Sequence, residues 1–98
     1  MQASSDMEPR LRRKLVEAFA PEALVITDNS NRHRGHAGYR EGGGTHFDVR
    51  IVSTAFEGLS HIERQRRVHA VLRDELAERV HALSLDIKAP AEADGHEA

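Results

Sequence analysis

The chain has 98 residues, 39% of them hydrophobic and 31% charged, which leaves room for one hydrophobic core and therefore one domain. It contains no cysteine, so disulfide bonds and cysteine-ligated zinc are excluded. No apolar run approaches the roughly 20 residues that cross a bilayer, and the N-terminus lacks the apolar segment of a signal peptide. We therefore expect a cytoplasmic protein that does not bind membranes.

The net charge of −2 arises at the C-terminus. From Lys88 onward three acidic residues stand against one lysine, whereas residues 1–87 carry equal numbers of cations and anions. Dedicated nucleic-acid-binding proteins usually have a clear basic excess, which this chain lacks. Twelve of its 14 cations are nonetheless arginine, so nucleic-acid binding stays open as an alternative.

The N-terminal part of the chain predicts one amphipathic helix. Residues 1–6 are polar, and we expect them to be disordered. Over residues 7–20, Leu11 and Leu15 recur at helical spacing, and Pro21 then ends the pattern.

Two β-strands are predicted in the middle of the chain. Residues 23–29 contain a short β-prone run, Leu-Val-Ile-Thr. Residues 46–53 alternate between apolar and polar side chains, which is typical of a sheet with one covered face. Between these segments, residues 32–44 contain five glycines and predict a loop.

The C-terminal half predicts a long helix followed by a third strand. Ser60 and Glu63 have the spacing of a capping box, in which each side chain bonds the backbone N–H of the other. Residues 81–87 alternate again, and residues 88–98 have the composition of a disordered acidic tail. Along the helix an apolar residue stands at every fourth position: Val68, Leu72, Leu76 and Val80.

The resulting element order is α-β-β-α-β. The first two strands suit an antiparallel pair, and the helix before the third strand is a crossover that makes this strand parallel to one of them. We therefore predict an α+β fold in which residues 7–87 form one domain, with a three-stranded mixed sheet and both helices on one face.

Several segments, in order and spacing, resemble the BolA-like family. They are the opening helix MEPRLRRKLVEAFAP, Asp28-Asn29-Ser30 before a histidine-bearing loop, Thr45-His46-Phe47, Phe56-Glu57-Gly58-Leu59-Ser60, Arg66-Arg67-Val68 and Val80-His81-Ala82-Leu83-Ser84. The resemblance implies a class II KH-like fold, which agrees with the pattern. It also implies no enzymatic activity, and the chain contains no recognisable catalytic motif.

In that family, members pair with monothiol glutaredoxins and share a [2Fe–2S] cluster with them and with glutathione, in iron–sulfur trafficking or iron sensing. The resemblance therefore implies such a partner and cluster here, and no cofactor when the protein is alone as a monomer or weak homodimer. Some bacterial members are described as DNA-binding regulators of morphology and stress genes. Both functions remain as hypotheses.

The candidate metal ligands are histidines. His81 stands between the helix and the third strand, where its ring can sit at the sheet rim, and it matches the C-terminal cluster ligand of the family. The same position would also suit a histidine that caps the last helix carbonyls. The family's second ligand lies in the loop between the first two strands, where His33 has the matching spacing and His36 is the alternative.

The remaining histidines and the arginines complete the candidate residues. We expect His46 and His69 to be structural, with His69 partly buried.

Acidic residues such as Glu75 are interspersed along the long helix, which favours a solvated, ion-paired face. For the nucleic-acid alternative, the candidate contacts are helix arginines, supported by Arg32, Arg34 and Arg40 of the loop; the helix set is Arg64, Arg66, Arg67 and Arg73.

Overall fold

The computed structural model describes residues 7–29 and 45–94. Its elements are α1 (Met7–Phe19), β1 (Ala23–Asp28), β2 (His46–Val52), a 3₁₀ turn (Thr54–Phe56), α2 (His61–Val71), α3 (Arg73–Glu78), β3 (Ala82–Lys88) and α4 (Pro90–Asp94). The central strand β2 is antiparallel to β1 and parallel to β3. The predicted α+β domain with a mixed three-stranded sheet is confirmed. Residues 1–6 and the predicted loop over residues 32–44 lie outside the described residues.

Strand β2 shows why the sheet has one covered face. Phe47, Val49 and Ile51 are buried, whereas Asp48 and Arg50 between them are exposed. The buried side chains belong to one apolar cluster with residues of the helices, among them Leu11, Leu15, Val68 and Leu72. The period-two pattern of the sequence therefore marks the face on which the helices pack.

The predicted capping box forms at the start of α2. The Ser60 hydroxyl accepts a hydrogen bond from the Glu63 N–H at 3.2 Å, and the Ser60 N–H donates to the Glu63 carboxylate at 3.1 Å. These two bonds satisfy backbone donors that the first turn of a helix leaves unpaired.

The helix that follows is interrupted, which the sequence pattern did not predict. Leu72 has φ −100° and ψ 17°, outside helical geometry, and it separates α2 from α3. The Leu72 N–H still donates to the Val68 carbonyl, and the Leu76 N–H donates to the Leu72 carbonyl. Because hydrogen bonds between residues four apart continue across the break, the apolar stripe stays on one side of the two helices, and Leu72 is fully buried.

A buried carboxylate joins α1 to α3. Glu75 has no solvent exposure, and it accepts hydrogen bonds from Arg10 at 2.9 Å and from Lys14 at 3.0 Å. Burial raises the pKa of Glu75, but the bonds from Lys14, from its own backbone and from Arg10 outweigh burial and hold the pKa below its ordinary value. The expectation that Glu75 lies on a solvated face was wrong, because cations of α1 pair with it.

The C-terminal segment also differs from the expected disordered tail. Lys88 belongs to β3, where its carbonyl accepts the Ser53 N–H at 3.0 Å, and Ala89 is buried. Pro90–Asp94 forms the short helix α4, which is tied to α2 through Glu92. Packing of Ala89 and pairing of Glu92 order this segment through residue 94, and residues 95–98 lie outside the described part. No helix among residues 7–29 and 45–94 is long and apolar enough to cross a membrane.

Candidate functional site

His81 lies at the rim of the sheet, as expected, between α3 and β3. Its backbone N–H donates to the Thr45 carbonyl at 2.7 Å, and the Ala82 N–H donates to the same oxygen at 3.2 Å. The imidazole is exposed and makes no hydrogen bond to another residue of the described part. Its backbone is therefore fixed while its ring nitrogens face solvent.

The ring of His81 does not cap the end of the preceding helix. The N–H groups of Arg79 and Val80 both donate to the Glu75 carbonyl at 3.0 Å. The helix therefore ends with hydrogen bonds from backbone N–H groups, and no described contact supports the interpretation that the His81 side chain caps it.

The loop that carries His33 and His36 is anchored beside His81. It leaves the sheet at Asn29, whose N–H donates to the His46 carbonyl at 2.7 Å, and it returns at Thr45. Neighbouring strands are about 4.8 Å apart, so Asn29 and the start of β3 are separated by two such spacings, about 10 Å.

His33 and His36 themselves lie outside the described residues. In the sequence, His33 follows Asn29 by four residues and His36 follows it by seven.

The two histidines that were predicted to be structural, His46 and His69, differ in burial. His46 is only 8% exposed, and its Nδ1 lies 2.8 Å from the Thr45 hydroxyl, which fits a structural role. His69 is exposed rather than partly buried. It follows Val68 directly, and a step of one residue turns about 100° around a helix, away from the buried stripe.

Arg64 is not available as a nucleic-acid contact, and this expectation was wrong. The residue is 5% exposed, its Nε donates to the Leu59 carbonyl at 3.0 Å, and its Nη1 donates to the Ile87 carbonyl at 3.3 Å. The guanidinium also binds the Glu92 carboxylate through two nitrogens, at 2.7 and 3.1 Å. The sequence held a signal for this burial, since Arg64 precedes Val68 by four residues and so shares its face.

The other helix arginines remain on the surface. Arg66, Arg67 and Arg73 are exposed, and none pairs with an acidic side chain of the described residues. Their charges are free to interact with an anionic partner. The loop arginines Arg32 and Arg34, like Arg40, lie outside the described residues.

Comparison with known proteins decides the family. The profile of the family described as BolA-like protein matches residues 15–92. The chain belongs to the BolA-like family. This BolA-like chain is 46% identical over 86 residues to "Protein BOLA1, chloroplastic" of Arabidopsis thaliana, which covers 86% of this chain and 54% of that protein. The chain thus spans about half the length of this relative.

A solved structure and a bacterial relative extend the comparison. The BolA domain of SufE1 from Arabidopsis thaliana is similar with a TM-score of 0.78 and 44% identity, covering 86% of this chain and 92% of that one. The protein named "DNA-binding transcriptional regulator BolA" of Vibrio cholerae is 37% identical over 75 residues, or 76% of this chain and 67% of that protein. The fold seen here is therefore the BolA-like fold.

The metal-ligating side chains of the BolA-like chain include histidine and no cysteine. No group of three or more histidine, cysteine, aspartate or glutamate side chains in residues 7–29 and 45–94 is arranged to hold a metal ion. With no cysteine in the sequence, all thiolates must come from elsewhere. The exposed imidazole of His81 at the rim is of a ligand type that can replace cysteine thiolate in a [2Fe–2S] cluster.

Proposed function

We propose that this BolA-like chain pairs with a monothiol glutaredoxin and shares a [2Fe–2S] cluster with it, in iron–sulfur trafficking or in iron- or redox-responsive regulation. The observation that supports the proposal best is the Thr45 carbonyl, which bonds the His81 N–H at 2.7 Å. This bond places the exposed imidazole beside the point where the histidine-bearing loop rejoins the sheet. The protein would hold a cluster rather than catalyse a reaction.

His81 and one loop histidine, His33 or His36, would be the ligands from this chain. Replacing two thiolates of one iron by imidazoles raises the reduction potential of such a cluster. The backbone bonds to Thr45 fix where His81 enters β3, so only its side-chain torsions remain to be set on binding. Both imidazoles must be neutral to bind metal, because a protonated ring has no free nitrogen.

The experiment mixes the protein with a glutaredoxin that carries cluster and glutathione and records visible absorption and circular dichroism. Imidazole ligation should change the visible dichroism of the glutaredoxin cluster. His81→Ala should abolish that change, His33→Ala should weaken it, and the double variant His33→Ala/His36→Ala should behave like His81→Ala. His69→Ala, an exposed histidine on α2, is the matched control and should behave like the wild type.

The same mixture provides a pH test and a clear refutation. Lowering the pH toward about 5 should reverse the spectral change, because free imidazole is then protonated. Alone, the protein should bind little iron. If His81→Ala left the spectrum of the mixed complex unchanged, the ligand assignment would be wrong.

A second candidate function is DNA binding through the exposed arginines of α2 and α3. Two observations favour it: the unpaired positions of Arg66, Arg67 and Arg73, and the DNA-binding relative from Vibrio cholerae. Binding to a labelled duplex should weaken with salt, and Arg66→Ala/Arg67→Ala should reduce both affinity and salt slope. Arg12→Ala, whose guanidinium pairs with Glu8 on α1, is the control and should leave both unchanged.

A further inference from the structure

Strand β3 is an edge strand in the described sheet, because its one strand neighbour there is β2. The Lys88 carbonyl points toward β2, where it accepts the Ser53 N–H, whereas the Ile87 carbonyl points the other way and accepts from Arg64. Backbone groups alternate in direction along a strand, so those of Leu83 and Leu85 point outward like those of Ile87. Such outward groups are a template for another strand.

The C-terminal end of this edge is closed by a latch, defined here as Arg64, Glu92 and the Ala89 N–H. The guanidinium holds the Ile87 carbonyl at 3.3 Å and the Glu92 carboxylate at 2.7 Å. Glu92 in turn accepts the Ala89 N–H at 2.7 Å. Two outward backbone groups that a further strand would need are therefore bonded within the chain.

The side chains beside the latch are complementary to a second copy of themselves. Asp86 and Lys88 lie on the face of β3 opposite the helices, and the Asp86 carboxylate is 3.9 Å from the Lys88 ammonium and 3.4 Å from the Arg50 guanidinium of β2. If two β3 strands pair antiparallel with Ile87 opposite its own copy, each Asp86 stands directly across from the Lys88 of the other chain. This register also pairs Leu85 of one chain with Ala89 of the other. That pair needs the Ala89 N–H as a hydrogen-bond donor, and this N–H donates to Glu92 in the structure.

We propose that the β3 edge is a self-association surface, and that the latch keeps the protein monomeric by covering the C-terminal end of that edge. Two-fold pairing repeats each cross-strand contact, and opposite charges placed across strands stabilise the pair. Opening of α4 frees the Ala89 N–H from Glu92 and removes the carboxylate that holds the Arg64 guanidinium against this end of the edge. Neither His81 nor the loop histidines take part, so this surface is separate from the proposed cluster site.

Sedimentation equilibrium over a concentration series tests the latch. Glu92→Ala should tighten self-association by about tenfold or more in dissociation constant relative to the wild type. The control Glu57→Ala removes an exposed glutamate outside the latch and should match the wild type. Glu92→Gln keeps the side-chain shape and should shift the equilibrium in the same direction, which keeps the test decisive if the alanine variant folds poorly by circular dichroism.

Charge reversal tests the register. In the Glu92→Ala background, Lys88→Glu places two carboxylates opposite each other and should restore the monomer. Adding Asp86→Lys to that variant restores opposite charges and should restore the dimer. The proposal would be overturned if Glu92→Ala and Glu92→Gln both stayed monomeric. It would also be overturned if the charge reversals left the dimer unchanged, or if the wild type were as dimeric as the latch variants.

Discussion

Arg10 donates a hydrogen bond to Glu75 at 2.9 Å, from a side chain 32% exposed to a carboxylate with no exposure. Removing the charge of Glu75 should destabilise the fold, because Arg10 and Lys14 lose their shared partner at the interface of α1 and α3. Both cations keep some contact with water, so the cost of Glu75→Gln should be about 1–3 kcal/mol, near the value of hydrogen bonds to charged groups. Urea unfolding measures it.

Glu78→Gln is the matched control for this substitution. Glu78 also pairs with Arg10, at 2.6 Å, but its side chain is 55% exposed. Its loss should shift the urea midpoint less than Glu75→Gln does, because an exposed pair is screened by water. An equal or larger shift for Glu78→Gln would show that burial of Glu75 is not what matters.

The stability of the fold should decrease as the pH falls below the ordinary glutamate pKa of 4.5. Hydrogen bonds from Arg10 lower the pKa of Glu78, and those from Arg64 and the Ala89 N–H lower the pKa of Glu92 to about 2. The pKa of Glu75 is also lowered. The unfolded chain therefore binds protons first as the pH falls, and stability present above pH 4.5 is lost progressively toward pH 2.

Urea titrations at about pH 6 and about pH 3 measure this dependence. Glu75→Gln should show a smaller difference between the two pH values than the wild type, because it lacks one of the shifted carboxyls. A wild-type stability that does not change over this range would contradict the ion-pair arrangement.

Leu72→Ala should cost about 2–5 kcal/mol of unfolding free energy, because it opens a cavity in the apolar cluster. Leu72 is fully buried although it interrupts the helix. His69→Ala, three residues earlier and exposed, should change stability by less than about 0.5 kcal/mol. A loss below about 1 kcal/mol for Leu72→Ala would mean that the buried stripe is placed wrongly.

His81→Ala should leave stability nearly unchanged and His46→Ala should lower it, although both residues stand at the same end of the sheet. His81 contributes its backbone N–H, which alanine retains, so its loss should change the unfolding free energy by less than about 0.5 kcal/mol. His46 is buried against the Thr45 hydroxyl, and its loss should cost about 1–3 kcal/mol. Thermal unfolding of both variants measures these changes. A large loss of stability in His81→Ala would mean that this variant cannot be used to test ligation alone.

The sequence predicted those parts of the fold whose signal is local. Alternation along residues 46–53, the capping box at Ser60 and the four-residue stripe each depend on spacing within one element, and each is present. Burial of Arg64 and Glu75 depends instead on partners 28 and 65 residues away, Glu92 and Arg10. Spacing did place both on the buried face, but charge alone favoured the surface, and the partners became visible only in three dimensions.

The candidate site was predictable to a similar extent. The rim position of His81 follows from its place between helix and strand. The bond from its N–H to Thr45 does not, because it joins residues 36 apart in the sequence and depends on the parallel register of β2 and β3. The ordered C-terminal helix was missed for the same reason, since Glu92 is held by Arg64, 28 residues earlier in the sequence.

The Thr45 carbonyl accepts hydrogen bonds from the N–H groups of both His81 and Ala82. Because these bonds form when the sheet folds, His81 and the ends of the loop are neighbours in the folded chain and not in the unfolded one. A group bound across them would bind the folded chain and not the unfolded one. It would raise the free energy of unfolding in proportion to the logarithm of its free concentration over its dissociation constant. Protein with such a group bound would consequently unfold less often and be degraded more slowly than free protein, so its cellular lifetime would depend on the supply of that group.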